Sequence, residues 1–260
     1  MRRSLLVLLF VIAAIPLAAG RHNGYYHGGR GLSVSTDDWE PITRCSQIDV
    51  TYDGNHINMV EEDIPVGSVR SLRIRPSHNG GVIVIGDSSS YSVKACKAAY
   101  LGGSSESIRI GAHGDNISAD FPDDVGAVVY FLVHTPRDGS VDLEASNGPI
   151  TVRDLTNGTI NARTQNGPIS VNLDGNFWSN GSLDASTHNG PLSLKIPSGY
   201  RSGVVVESDG RGPVSCRAEA CRDSKRTWDD EDNRRIELGS GPQAVHLSTV
   251  NGPVSVKERD

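Results

Sequence analysis

The phrase "ASNGPITV" at 145–152 returns as "TQNGPISV" at 164–171, as "THNGPLSL" at 187–194 and as "TVNGPVSV" at 249–256. Apolar or small residues stand at alternate positions before each Asn-Gly: Val141, Leu143 and Ala145; Ile160, Ala162 and Thr164; Leu183, Ala185 and Thr187; Val245, Leu247 and Thr249. After each Asn-Gly-Pro the alternation resumes with Ile150 and Val152, Ile169 and Val171, Leu192 and Leu194, and Val254 and Val256. Period-two alternation marks one face of a strand, so a unit reads as strand, corner, strand. A degenerate fifth copy, "VVVESDGRGPVSC" at 204–216, carries Arg211 in place of the Asn.

Taken at positions 147, 166, 189, 211 and 251, the anchors are spaced 19, 23, 22 and 40 residues apart. The last interval is two periods, or one period with an insert. A unit of about 20 residues cannot bury its own apolar face and must stack on its neighbours. The fold expected is therefore all-β, a β-solenoid like a parallel β-helix, with more irregular β structure in the N-terminal half. A two-residue hairpin at Asn-Gly is disfavoured by the Pro that follows, which lacks an N–H and fixes φ. In the corner, Asn tolerates the left-handed region, Gly supplies positive φ and Pro starts the next strand. Stacking places Asn147, Asn166 and Asn189, and at the last copy Asn251, in a ladder of side-chain amides. The small Ala145, Ala162 and Ala185 imply a thin core, in keeping with 5% aromatic residues.

Outside the repeats the chain divides as follows. Residues 1–20, "MRR" and then "SLLVLLFVIAAIPLA", have the basic start and apolar centre of a secretory signal peptide, with cleavage expected after Gly20. The apolar run is shorter than the ~20 residues that suit a membrane span, and no later segment reads as one. Residues 21–35 form a Gly-rich, polar leader whose His22 and His27 are read as solvated rather than metal-bound. Residues 36–135 form an N-terminal β region, continuous with the solenoid or capping it, and 136–260 the Asn-Gly-Pro repeats. The mixed-charge segment 217–235 reads as a loop inserted into the stack.

The formal charge is -6, and loss of Arg2 and Arg3 makes it -8, which argues against nucleic acid as a partner. Four cysteines in an exported chain point to disulfides. Cys216 and Cys221 are close enough to staple a local loop, which leaves Cys45 for Cys96, one of three possible connectivities.

The run "VYFLVHTPRDGSVDLEASNGPITVRDL" at 129–155, followed by the copies up to Val256, resembles the putative adhesin domains of bacterial exported proteins, long catalogued as a domain of unknown function. The resemblance is good over about 125–256 and looser over 40–124. It implies a right-handed β-solenoid-like fold at or beyond the cell envelope, and it supplies neither a ligand nor a catalytic motif. Arg211 and segment 217–235 depart from the family's regular pattern.

β-Helices also carry polysaccharide lyases and hydrolases, and Asp142, Asp154, Asp174 and Asp184 are the candidate acids for a site that needs two carboxylates about 5–9.5 Å apart. Asp142 and Asp184 occupy equivalent outward positions with Asn161 between them, as solvated side chains would. The acidic run 229–232 lacks the pattern of calcium-binding solenoids. His188 and His246 read as surface residues without a carboxylate partner. Asn116, Asn157 and Asn180 fit the glycosylation pattern but read as turn residues. Trp178, Phe177 and Trp228 are the aromatics nominated for sugar stacking. The expected function is thus that of an exported, non-enzymatic, adhesin-like protein, periplasmic, on the outer surface or secreted. It would bind an envelope or extracellular polysaccharide or protein without cofactor or metal. The alternatives are a carbohydrate-active enzyme on the same fold and a purely structural envelope scaffold.

Overall fold

In a computed structural model of the chain the described residues are 26–27, 31–36, 42–76, 78–122, 125–210, 212–228 and 234–259. The signal-peptide segment, Arg211 and the acidic run 229–232 lie outside them. The fold is all-β: an open ten-stranded sheet, an open nine-stranded sheet and a four-stranded sheet.

Each Asn-Gly-Pro unit gives one strand to each large sheet. Ser140–Asn147, Ile160–Asn166, Leu183–Asn189 and Gln243–Asn251 lie side by side and parallel in the ten-stranded sheet. Ile150–Leu155, Ile169–Leu173, Leu192–Ile196 and Val254–Glu258 do so in the nine-stranded sheet. Equivalent residues meet: Val141 pairs with Ile160, Ile160 with Leu183 and Leu183 with Val245. Across the corner, Ile150, Ile169, Leu192 and Val254 form the matching column. Because the sequence alternates with period two, these columns project to one side of each sheet, and both contribute to one buried cluster.

The Gly of each corner is needed for a different reason from the one the sequence suggests. Gly148, Gly167, Gly190 and Gly252 do not have positive φ. A Cβ on Gly148 would instead stand 1.8 Å from the carbonyl oxygen of Gly80; on Gly167, 2.1 Å from that of Gly148; on Gly190, 2.1 Å from that of Gly167. The corner backbones therefore touch with no space for a side chain. Positive φ occurs at Gly80 (+141°), in the corner at Asn79, and at the opposite corner, at Gly158 (+107°) and Gly181 (+79°), where close approach recurs. Pro168 has no N–H to donate, but its carbonyl accepts from the Ile150 N–H at 3.0 Å, and Gly167 N–H donates to Asn189 O at 2.9 Å.

The repeat begins earlier than the four quoted phrases. "HNGGVIV" at 78–84 is a further corner: Asn79 bridges in parallel to Asn147, Ser71–Arg75 pairs with Ser140–Asn147, and Val82–Ile85 pairs with Ile150–Leu155. Spatial order also departs from chain order. Gly203–Ser208, from the degenerate copy, pairs with the far side of Gln243–Asn251, so the last unit in sequence sits between the third unit and the degenerate one. The expected inserted loop at 217–235 is partly regular: Lys225–Trp228 pairs antiparallel with Arg234–Leu238, which extends the ten-stranded sheet beyond Gly203–Ser208.

The four-stranded sheet (Tyr26–His27, Leu32–Thr36, Ile48–Tyr52 and Asn55–Ile57) is antiparallel. Its Leu32, Val34, Ile48 and Val50 pack on Ile83, Ile85, Tyr130 and Leu132, on the opposite side of the nine-stranded sheet from the main core. Leu32 and Val34 are buried, so the expected leader ends before them rather than at residue 35. The Cys45–Cys96 disulfide, with Cα atoms 5.3 Å apart, ties this layer to the strand Ser92–Tyr100. The second disulfide joins Cys216 and Cys221, with Cα atoms 5.7 Å apart.

Gly167→Ala should lower stability by at least ~2 kcal/mol, because the added methyl meets backbone rather than a movable side chain. Gly67→Ala, with open space around it and φ outside the left-handed region, should change stability by less than ~0.5 kcal/mol. Equilibrium urea unfolding of both variants checks this; equal effects would refute the close-approach account.

Candidate functional site

The corner residues form a continuous hydrogen-bonded column. Asn251 Nδ2 donates to Asn189 Oδ1 at 3.0 Å, Asn189 Nδ2 to Asn166 Oδ1 at 2.9 Å, and Asn166 Nδ2 to Asn147 Oδ1 at 2.9 Å. The column ends where Asn147 Nδ2 donates to the carbonyl of His78 at 3.0 Å. Each amide in the middle gives once and accepts once, as stacked amides at strand spacing can. Inside the corner a second column runs in parallel: the hydroxyls of Thr164, Thr187 and Thr249 donate to the carbonyls of Gly148, Gly167 and Gly190 at 3.0, 2.8 and 3.1 Å.

On the outer face of the ten-stranded sheet several charges are paired within the face, while the exposed Arg163, in register with Glu144, has no ion pair among the described residues. The outward column Asp142, Asn161, Asp184 and His246 is in register. Asp142 accepts from Arg73 Nε at 2.9 Å, and Glu144, on the same strand, from Arg75 Nε at 2.9 Å. His246, expected to lack a carboxylate, has two: Nε2 lies 2.9 Å from Glu207 and Nδ1 3.6 Å from Asp184. Arg235 bonds both Glu207 and Glu237, and its guanidinium holds the Glu237 carboxyl below the usual range. The partners of His246 were invisible in sequence because Glu207 is 39 residues away and reaches it only through the reversed order of the last two units. A shallow groove crosses this face past Glu144, Arg163, Ser186, His188 and Ser248.

The outer face of the nine-stranded sheet changes chemistry where the four-stranded layer stops. Beneath that layer the outward residues are apolar, Ile83 and Ile85 among them. Beyond it the same positions carry Thr151, Ser170, Ser193, Ser255 and Ser215, one hydroxyl on each successive strand. Ser255 Oγ reaches Ser193 Oγ at 3.3 Å. Two residues along each strand stands a second column, Arg153, Asn172, Lys195 and Lys257.

Two of the four candidate acids lie at the border of this face and are bound to arginines. Asp154 accepts from Arg259 at 2.6 Å and Asp174 from Arg137 at 2.6 Å. Of the nominated aromatics, Trp178 is 3% exposed, with Nε1 donating to Gly158 O at 3.2 Å, and belongs to the core. Its ring is closed to a stacking sugar. Phe177, 44% exposed, is accessible. Trp228 ends the strand Lys225–Trp228; its side chain falls outside the described part of the structure. Asn157 caps a turn, its Oδ1 accepting from the N–H groups of Ser179 at 2.7 Å and Asn180 at 3.3 Å. Near Trp178, burial pushes the Tyr200 hydroxyl up to about 12. At the opposite end Lys94 holds Glu61 below the usual carboxylate range. Among the described residues no group of three or more His, Cys, Asp or Glu is placed to hold a metal ion, and no helix is long and apolar enough to cross a membrane.

No family model and no curated protein matches the chain. Among solved structures, a putative cell adhesion protein from Clostridium sporogenes aligns over 78% of this chain and 100% of its own, at 9% identity and a TM-score of 0.46. A putative adhesin from Bacteroides fragilis aligns over 78% and 97%, at 8% identity and a TM-score of 0.31. A putative adhesin from Parabacteroides merdae does so over 78% and 97%, at 10% identity and 0.23.

Asn166→Asp replaces a donor with an oxygen facing Asn147 Oδ1, so the folded state should favour the protonated acid and raise its pKa above the unfolded ~3.9. A raised folded pKa means stability that is complete below the unfolded pKa and lost as pH rises through the folded value. The variant should therefore match the parent near pH 3 and fall short by ~1–2 kcal/mol at pH 7. Thermal unfolding across that range checks it; a deficit independent of pH would refute the ladder's role.

Proposed function

We propose that this chain is an exported, adhesin-like, non-enzymatic β-solenoid with coils of about 20 residues, presenting a repetitive polar surface to extended envelope or extracellular polymers. The observation that carries this reading is the in-register parallel pairing of successive units. It turns a sequence repeat into columns of like side chains spaced ~4.8 Å apart. Such a surface offers the same groups many times over in a line, which suits a polymer better than a compact ligand. Both disulfides fit an oxidising compartment beyond the cytosol. A rigid scaffold follows from a core in which each column is buried against its own copies.

The enzyme reading finds less support in the geometry. Asp142, Asp154 and Asp174 are each held by an arginine, and Asp184 sits beside His246. Asp142 and Asp184 are also two strand spacings apart on an open sheet face, with Asn161 between them.

The test is to incubate the full chain with a panel of cell-envelope and plant polysaccharides and score retention and new chain ends together. Retention without new chain ends is expected. New chain ends that disappear in Asp142→Asn/Asp184→Asn would replace this reading with an enzymatic one, and no retention on any polymer would favour a purely structural scaffold.

A further inference from the structure

The two outer faces handle their cations differently. On the ten-stranded sheet Arg73, Arg75 and Arg235 are neutralised by Asp142, Glu144 and Glu207, and the unpaired Arg163 stands in its column between Glu144 and Ser186. On the uncovered part of the nine-stranded sheet, no ion pair joins Arg153, Lys195 or Lys257 to any described residue, although acidic residues outnumber basic ones, 31 to 25. Asp154 and Asp174, at the border of this face, are engaged by Arg259 and Arg137. Beside the free cations stands the hydroxyl column, and none of the four strands that carry them, Ile150–Leu155, Ile169–Leu173, Leu192–Ile196 and Val254–Glu258, contains an aromatic residue.

Two further atoms point the same way. Arg153 Nε and Asn172 Oδ1, on register partners, are shielded from solvent and have no hydrogen-bond partner. Such groups are uncommon, because an unpaired shielded donor or acceptor costs about 1–3 kcal/mol. Lys195 and Lys257, by contrast, are exposed on adjacent strands.

We propose that the hydroxyl and cation columns on this face bind a linear acidic polysaccharide, a uronate-type polymer laid across the strands with its carboxylates on Arg153, Lys195 and Lys257. The strand step of ~4.8 Å is close to the length of one sugar residue in an extended glycan. Each step then offers a serine or threonine hydroxyl to a sugar hydroxyl and, at three of four steps, a cation to a carboxylate. A neutral glycan would leave the cations unmatched, and a polyanion without hydroxyls could accept from the serine and threonine hydroxyls but donate nothing to them. This inference rests on the polymer-binding reading above and specifies its ligand class and its face.

The experiment compares retention of the full chain on polygalacturonate and on its fully methyl-esterified form, which has the same backbone without the charge, with inorganic polyphosphate as a control for charge alone. Expected are retention on polygalacturonate, at least tenfold weaker binding to the ester, and a steep loss between 0.05 and 0.5 M salt, as screening of exposed charges requires. Lys195→Glu/Lys257→Glu alters only exposed side chains and should weaken polygalacturonate binding at least tenfold with unchanged thermal unfolding. Arg73→Gln/Arg75→Gln, on the opposite face, should leave it unchanged. Ser193→Ala/Ser255→Ala should weaken polygalacturonate more than polyphosphate, which can accept from the serine hydroxyls but donate nothing to them. Equal binding of ester and acid, or undiminished binding by the Lys195/Lys257 variant, overturns the proposal. So does equal loss on polyphosphate and polygalacturonate in the serine variant. If the parent ignores polygalacturonate but retains another envelope polymer, this inference fails and the general reading survives; if it retains none, both fail.

Discussion

The constraint on which the structure depends is the contact of corner on corner. Gly148, Gly167 and Gly190 each bring the backbone so near the preceding carbonyl that a Cβ would overlap it. That approach sets the height of each unit, and everything else keys to it. The Asn amides can form a 2.9–3.0 Å chain only if successive corners superpose. The buried Thr164, Thr187 and Thr249 hydroxyls can bond to the glycine carbonyls only at the same height. Since a one-residue slip in a strand would turn every inward side chain outward, the corner also protects the core. Register is thus held twice, by apolar columns within and by amides at the edge.

A parallel stack has two ends, and an open edge invites further pairing. At the N-terminal end the chain turns antiparallel: Ser92–Tyr100 lies against Gly126–His134, and Val60–Ile64 against Ser92–Tyr100. At the other end the hairpin of Lys225–Trp228 and Arg234–Leu238 covers Gly203–Ser208, and the Cys216–Cys221 loop follows the short edge strand Val214–Cys216. The reversed order of the last two units belongs to the same solution. In chain order the outer row and hairpin come first and Gln243–Asn251 and Val254–Glu258 then fill the row between, flanked on both sides by strands.

How far the sequence foretold this depends on the range of each interaction. Period-two alternation and the repeated Asn-Gly-Pro are local, so the strands, inward columns and amide ladder could be read directly. The role of the glycine could not, because the close approach involves a backbone from the adjacent unit. The copy at Asn79 was legible in its Asn-Gly but lacks the Pro that made the others conspicuous. The interval of 40 between Arg211 and Asn251 allowed an insert, but nothing local says that the last unit threads between two earlier ones, and the Glu207 partner of His246 was hidden with it. The turn-like phrase around Trp178 does not show whether the ring faces a ligand or the core; it is buried, and turns of two other units supply Gly158 O for its indole N–H and Ser202 Oγ for its backbone N–H.

The same alternation that builds the core determines what the surface displays. A strand in these sheets must carry apolar residues at every second place, so the chain is free to choose only the places between. On the nine-stranded sheet those free places are apolar where the four-stranded layer covers them and Ser, Thr, Arg, Asn or Lys where it does not. The choice is made position by position, yet stacking turns it into lines, so one kind of residue at one place in the repeat becomes a stripe across the molecule. Unmatched charge arranged in a stripe repels itself and costs stability. On the opposite face Arg73, Arg75 and Arg235 meet carboxylates and the unpaired Arg163 shares its column with Glu144 and two serines, so no stripe of like charge forms there. Keeping Arg153, Lys195 and Lys257 unpaired is therefore a property that folding alone does not require, and it is the reason for assigning that face to a partner carrying the missing negative charge.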